Sequence, residues 1–146
     1  MSRVGILALI VVVSVSALAG CGRRQPGSTA KPPARALLTP SQVGPDGLTG
    51  TDVSGVREVN IVAHRYTYDP DKVIVRKGEG VRLRLTSTDV THGFGIDKLK
   101  INVKIEPGKV TIVQFTPGTG GDFPFYCTVD CGPGHKDMRG TLVVKP

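Results

Sequence analysis

The chain has 146 residues and a formal net charge of +7, a length that accommodates one domain and a leader. Its 19 glycines, 11 prolines and only 5% aromatic residues favour a turn-rich β protein and argue against a helical bundle. Basic residues are spread along the chain rather than clustered, which argues against a nucleic-acid partner. A weak attraction to anionic lipid or to an acidic protein is the more modest inference.

Residues 1–20 are predicted to be a signal peptide. Arg3 supplies a positive charge, residues 4–18 are mostly apolar, and Leu18-Ala19-Gly20-Cys21 places small residues before a cysteine. This ending resembles a bacterial lipobox, in which the cysteine, here Cys21, is lipidated and becomes the mature N-terminus. The alternative is an uncleaved anchor, although the apolar run is shorter than the ~20 residues that span a bilayer. Both readings place the domain outside the cytoplasm and tether it to a membrane.

Residues 21–56 are predicted to be a flexible linker that starts at the lipidated Cys21. The segment is rich in Pro, Gly, Ser and Thr, lacks aromatic residues and shows no sustained periodicity. A flexible chain of this length has a root-mean-square reach on the order of 30 Å, so the domain could search for a partner near the membrane. Residues 57–146 remain as the folded domain.

Short apolar or alternating segments follow one another through this domain. They comprise residues 58–63, 72–76, 81–85, 101–105, 110–115 and 141–144. Turn signals such as Asp69-Pro70 and Pro107-Gly108 separate them, and no stretch has a helical period. The pattern predicts an all-β sandwich or barrel. A domain of this size buries only a modest core, so a bound metal would add useful stability.

The stretch CTVDCGPGHKDM gathers soft and imidazole donors: Cys127, Cys131, His135 and Met138. His92, in the sequence DVTHGFG, follows a predicted strand, and a sandwich can bring it beside this stretch. Thiolate, imidazole and thioether together are a ligand set for copper. One cysteine with two histidines and a methionine suits a mononuclear blue-copper site. The second cysteine changes this interpretation, because two thiolates can bridge two copper ions.

Two other readings of these residues remain open. Zinc accepts two cysteines and two histidines, but it has little use for a thioether, and the spacing is not that of a zinc finger. Outside the cytoplasm, Cys127 and Cys131 could instead form a disulfide. A disulfide would leave the spacing of His135 and Met138 unexplained. His64 is read as an ordinary strand histidine, and Asp89 either hydrogen-bonds His92 or begins a turn.

The pattern Cys-x3-Cys-x3-His-x2-Met, preceded by Asp-Val-x-His-Gly-Phe, resembles the binuclear CuA domain of cytochrome c oxidase subunit II. The resemblance runs from about residue 68 to residue 144. It implies a cupredoxin-type Greek-key β-sandwich that holds two copper ions. The implied ligands are bridging Cys127 and Cys131, His92 with a weak axial Met138 for one ion, and His135 with the backbone carbonyl of Val129 for the other.

The resemblance implies an extracytoplasmic, membrane-tethered electron-transfer protein with no catalytic site of its own. It could be a subunit of a cytochrome c oxidase-type complex, and its expected partner is a redox protein such as a cytochrome, a terminal oxidase or a reductase. A mononuclear blue-copper carrier and a copper-binding or copper-delivery protein are the alternatives. The chain departs from the family in having no Trp and in having Val129 where oxidase subunits commonly have Glu.

Overall fold

The computed structural model describes residues 43–146, which contain ten β-strands and two short 3₁₀ turns. The predicted signal peptide, the lipidation site Cys21 and residues 21–42 of the predicted linker lie outside the described residues. Within residues 43–146, no helix is long and apolar enough to cross a membrane. The prediction of an all-β domain is confirmed.

The strands form two sheets of five. In chain order they are β1 (Thr51–Val53), β2 (Val56–His64), β3 (Thr67–Asp69), β4 (Lys72–Arg76), β5 (Gly80–Ser87), β6 (His92–Ile96), β7 (Ile101–Ile105), β8 (Thr111–Phe115), β9 (Gly121–Tyr126) and β10 (Arg139–Lys145). The first sheet has the order β1–β2–β5–β8, with β3 also paired to β2. The second sheet has the order β4–β10–β9–β6–β7. The β2–β5 and β4–β10 pairs are parallel, and the other neighbours are antiparallel.

Alternation along the strands sends one set of side chains into the core between the sheets. In β5, Val81, Leu83 and Leu85 are buried, whereas Arg82 and Arg84 point outward and pair with Glu58 on β2. An aromatic group of Tyr68, Phe94 and Phe125 packs inside, with ring centroids 4.9–5.8 Å apart. Because Phe94 and Phe125 come from β6 and β9, this packing supports the strand that begins with His92 and the strand that leads into residues 127–138.

The folded domain begins earlier than the predicted boundary at residue 57. Leu48 and Thr49 are buried, and Thr49 exchanges hydrogen bonds of 2.8 Å with the backbone of Ile74 through its N–H and its hydroxyl. Strand β1 then pairs with β2. Residues 43–56 therefore belong to the sandwich, which corrects the linker assignment for this part. Their contacts are with residues further along the chain, so no local periodicity announces them.

Arg57 fastens this first segment to the rest of the domain. Its guanidinium is nearly buried and lies 2.9 Å from both Asp46 and Glu79, and it also donates to the carbonyl of Gly50 at 3.3 Å. Burial opposes the charge, but the two carboxylates outweigh it and raise the pKa of Arg57 above its usual value. The guanidinium is therefore charged and paired, and it holds the turn before β1 against the turn before β5.

Candidate metal centre

The metal donors meet at one end of the second sheet. His92 begins β6, and residues 127–138 connect β9 to β10. The two strands pair Tyr126 with Arg139, and the N–H of Cys127 donates to the carbonyl of Met138 at 3.1 Å. This connection is thus a closed loop whose first and last residues lie side by side. Strand β6 is the next neighbour of β9, which places His92 beside the loop.

Two sulfur atoms form the middle of the site. Cys127 and Cys131 are both buried and free, and their Sγ atoms lie 3.8 Å apart. With a ring nitrogen of His92, the two sulfurs form a group of three donor atoms that all lie within 4.8 Å of one another. The structure therefore has two separate thiols at these positions and does not contain the alternative disulfide.

The other predicted donors surround these sulfurs. The carbonyl oxygen of Val129 lies 3.1 Å from the Sγ of Cys127. Nδ1 of His135 and Sδ of Met138 each lie 4.0 Å from the Sγ of Cys131. All six positions predicted as ligands come together at this end of the sandwich. His64, in contrast, ends β2 and lines a different cleft, with Tyr68, Asp69 and Pro70 among its other residues.

Asp89 holds the ring of His92 in place. Its side chain is fully buried, and Nε2 lies 2.8 Å from Oδ1 of Asp89. Burial raises the pKa of Asp89, but hydrogen bonds from His92 and from the N–H groups of Val90 and Arg65 outweigh it and lower that pKa to about 2. The carboxylate is ionised and can only accept, so Nε2 of His92 donates in this hydrogen bond.

The lone pair on His92 Nδ1 has no hydrogen-bond partner among the described residues. An unpaired buried polar atom costs about 1–3 kcal/mol, so such atoms generally have a specific role. A metal ion beside the two thiols would give Nδ1 a partner. This donor set, with its carboxylate-oriented histidine, fits copper. Of the two open readings of Asp89, the structure contains the hydrogen bond to His92.

Two glycines let the metal loop lie directly on β6. A Cβ built on Gly93 would lie 2.5 Å from the backbone nitrogen of Thr128, and one on Gly95 would lie 2.6 Å from Cγ2 of that threonine. The N–H of Gly93 donates to the Sγ of Cys127 at 3.2 Å, and the hydroxyl of Thr128 donates to Asn102 on β7 at 2.8 Å. The sequence analysis missed these supporting contacts, although the alternating glycines of HGFG were the available signal.

Two tyrosines support the site from the first sheet and its turn. The hydroxyl of Tyr68 donates to the carbonyl of Gly93 at 2.6 Å, and burial followed by the nearby Cys127 raises the pKa of this tyrosine. The ring of Tyr66 lies against the loop between Cys131 and His135. A Cβ on Gly134 would lie 2.3 Å from that ring, so the glycine is what allows the ring to approach this closely. Both tyrosines thus limit how far the loop can move.

The protonation of the thiols is part of the chemistry of the site. Burial, and then the neighbouring Cys127, raise the pKa of Cys131 to about 11. The metal-free protein therefore holds Cys131 as a thiol at neutral pH. Copper binds the thiolate, so loading must release a proton, and the affinity must rise with pH.

Comparison with known proteins places this site in a family. The chain matches the family described as "Cupredoxin-like domain" over residues 38–144. It is 36% identical over 122 residues to cytochrome c oxidase subunit 2 of Thermus thermophilus, a match that covers 84% of this chain and 81% of the relative. The chain is a cupredoxin of the cytochrome c oxidase subunit 2 family. The predicted resemblance and the predicted fold are both confirmed.

Two further comparisons bear on this cupredoxin. A chain in the cryo-EM structure of a heme-copper terminal oxidase dimer superposes with a TM-score of 0.56 at 26% identity, over 68% of this cupredoxin and 80% of that chain. The nitrous-oxide reductase of Ralstonia nicotianae is 33% identical over 91 residues, which are 60% of this cupredoxin but only 14% of the reductase. The cupredoxin is therefore a copper domain that resembles the copper domain of oxidase subunit 2.

Proposed function

We propose that this cupredoxin is a membrane-tethered, extracytoplasmic electron-transfer protein with a binuclear CuA-type copper centre. The observation that carries the proposal is the pair of buried, unbonded thiols 3.8 Å apart, which form with a ring nitrogen of His92 a group of donor atoms within 4.8 Å of one another. One thiol would suffice for a mononuclear site. A second thiol at this distance supports bridging of two ions by both sulfurs.

Each donor has a role in this proposal. Cys127 and Cys131 bridge the ions, His92 and Met138 complete one of them, and His135 with the carbonyl of Val129 completes the other. The thioether of Met138 is fully buried, which suits a weak ligand that stays in place by packing.

Copper would supply reversible one-electron redox chemistry, and the chain would hold the donors still while the charge changes. The Asp89 carboxylate orients His92, and the N–H of Gly93 donates to one bridging sulfur. The contacts of Thr128 with Asn102 fix the loop on the sheet. Because Gly93 and Asn102 lie on strands, the groups they hold would move little, and little reorganisation would accompany each electron.

The tether and the partner follow from other parts of the chain. Lipidation at Cys21 would anchor the protein after removal of residues 1–20, and residues 21–42 would then be the linker to the domain. The partner is a redox protein, with a cytochrome, a terminal oxidase or a reductase as the candidates. The similarity to both an oxidase subunit and a nitrous-oxide reductase supports this range. Mass spectrometry of the membrane-extracted protein should find a lipid on Cys21 as its first residue, whereas an unmodified Cys21 behind an intact leader would refute lipid anchoring.

Copper counting with electron paramagnetic resonance (EPR) of the full-length chain tests the copper centre. We expect two copper ions per chain, with one unpaired electron shared by both in the oxidised form. Cys127→Ser should reduce this to one ion with a localised electron, whereas the control His64→Asn should leave both results unchanged. One copper ion with a localised electron in the parent chain would replace the proposal with a blue-copper carrier. Copper that transfers readily and does not cycle would indicate a delivery protein.

A further inference from the structure

A cleft of about 500 Å³ opens to the surface beside the copper donors. Cys127 and His135 line it on the side of the proposed centre, and Tyr126, Lys136 and Arg139 are among the other lining residues. His135 is half-buried, whereas both basic residues are exposed. A molecule that enters this cleft therefore comes close to the proposed ligands without displacing part of the core.

The charge in this cleft is positive and uncompensated. Among the described residues, no carboxylate lies within ion-pair distance of Lys136 or Arg139, and Nε of Arg139 donates to the carbonyl of Lys136 at 3.0 Å. No Asp or Glu lines the cleft. Three arginines in the first sheet, Arg57, Arg82 and Arg84, do pair with carboxylates.

Lys104 extends this positive surface along β7. It is exposed and lies two residues after Asn102, which also lines the cleft, so the two side chains share the outer face of the strand. The hydroxyl of Tyr126 donates to Asp97 at 2.7 Å, so one carboxylate lies near this face without lining the cleft. Residues 43–146 carry 14 Lys and Arg against 12 Asp and Glu, a net charge of 14 − 12 = +2, so the attraction for an acidic molecule comes from these local charges.

We propose that this cleft is the docking surface for an acidic redox protein, one of whose carboxylates enters between Lys136 and Arg139 beside His135. The proposal rests on the proposed electron-transfer function and specifies the chemistry of its partner. Complementary charge would orient the partner with its redox group towards the copper end of the sandwich and would raise the association rate. It excludes partners that present a lysine-rich face to this site.

Binding of a redox-inert anion to the copper-free, full-length chain tests the surface without the metal. The probe is hexacyanochromate(III), whose paramagnetism broadens the NMR signals of nearby amides. We expect selective broadening at Lys136, Arg139 and Thr128, and its loss in the double variant Lys136→Glu/Arg139→Glu. The control is Lys77→Glu. Lys77 follows Arg76, and Arg76 lies opposite Lys145 in the β4–β10 strand register, so Lys77 is at the end of β10 away from the cleft. Equal broadening around Lys77 in the parent, or its persistence in the double variant, would overturn the proposal.

Electron transfer from the reduced, copper-loaded chain to ferricyanide tests the docking role. Ferricyanide accepts one electron and becomes ferrocyanide, while the copper centre is oxidised by one electron. We expect a stopped-flow rate that falls with ionic strength and is ~10-fold lower in the double variant, within the range of electrostatic steering. Lys77→Glu should stay within about twofold of the parent, because it changes net charge at the far end. With a cationic cobalt(III) oxidant, the rate should instead rise with ionic strength and be higher in the double variant.

Three outcomes separate this proposal from the proposed function. A chain that binds and cycles copper but shows equal rates for the parent and the double variant would overturn the docking surface alone. Broadening by the chromium anion at Lys136 and Arg139 without any effect on the rates would assign the cleft to another anion, such as a lipid headgroup, and would also overturn it. A chain that binds no copper overturns the proposed function, and the anion result on the copper-free protein then decides whether the cleft binds anions.

Discussion

Substitution of Gly93 by Ala tests how the metal loop is held on β6. A Cβ at this position would lie 2.5 Å from the backbone nitrogen of Thr128 and 2.7 Å from that of Val129. Ordinary contact begins at 3.4 Å, so the loop would have to retreat by about 0.9 Å. A side-chain rotation cannot relieve the clash, because the nearest fixed atoms belong to the backbone.

The retreat should have two measurable effects. Overpacking of this kind costs about 1–3 kcal/mol, and we expect a loss of about 2 kcal/mol in the unfolding free energy of the copper-free chain in urea. The Gly93 N–H would also move away from the Sγ of Cys127, now 3.2 Å distant, and the carbonyl of Val129 would shift with the loop. The EPR and visible spectra of the copper-loaded chain should therefore change.

Two matched variants complete this experiment. In Gly95→Ala the added carbon would contact Cγ2 of Thr128. This side chain can rotate away, but it then loses the hydrogen bond from its hydroxyl to Asn102, so we expect the free energy of unfolding to fall by about 1 kcal/mol. Gly118→Ala has nothing within 4 Å of the added carbon and should unfold like the parent. If Gly93→Ala stays within about 0.5 kcal/mol of the parent and keeps its copper spectra, the loop is not held as described.

Three further variants test separate parts of the molecule. Arg57→Met leaves Glu79 and Asp46 without their ion-pair partner and should lower the free energy of unfolding in urea by about 3 kcal/mol. A change near zero would show that these ion pairs are dispensable. The Leu48 N–H, and then Arg57, lower the pKa of Asp46 below 3.8, so its carboxylate stabilises the fold fully above pH 3.8 and less as the pH falls through the lowered pKa. The stability deficit of Asp46→Asn should accordingly shrink below pH 3.8, and a deficit that is constant with pH would contradict this. Met138→Leu nearly keeps the side-chain volume, so it should lower the free energy of unfolding by less than about 1.5 kcal/mol. It should nevertheless shift the reduction potential of the copper-loaded chain, measured by voltammetry. An unchanged potential would remove the thioether from the ligand set.

Alternation allowed several strands to be predicted from sequence. The predicted segments 72–76 and 101–105 coincide with β4 and β7, and the segment 81–85 lies within β5. These strands bury one face and expose the other, so the period of two is written into the sequence. Strands β1 and β3 have only three residues each, too few to show a period, and their stability comes from pairing with β2.

The donor positions could be predicted because their residue types are rare in this chain. The described domain has few thiols, imidazoles and thioethers, and four of them fall within twelve residues. The supports of the site are common residues whose roles depend on distant contacts. Asn102 becomes part of the site only because β7 lies near Thr128, and Arg57 meets Asp46 and Glu79 only in the folded sheet. Such contacts join residues 11–26 positions apart, and no local pattern reveals them.

The position of β10 inside its sheet has a consequence for the order of assembly. This strand lies between β4 and β9. More than 60 residues of sequence separate it from β4, whereas only the loop of residues 127–138 separates it from β9. Pairings between residues so distant in sequence form slowly, because chain entropy must be lost before the contact is gained. The donors cannot close around an ion until residues 139–145 have taken their place between the other two strands. Copper capture should therefore be a late event in folding, and the chain should bind the metal only after its two sheets have formed.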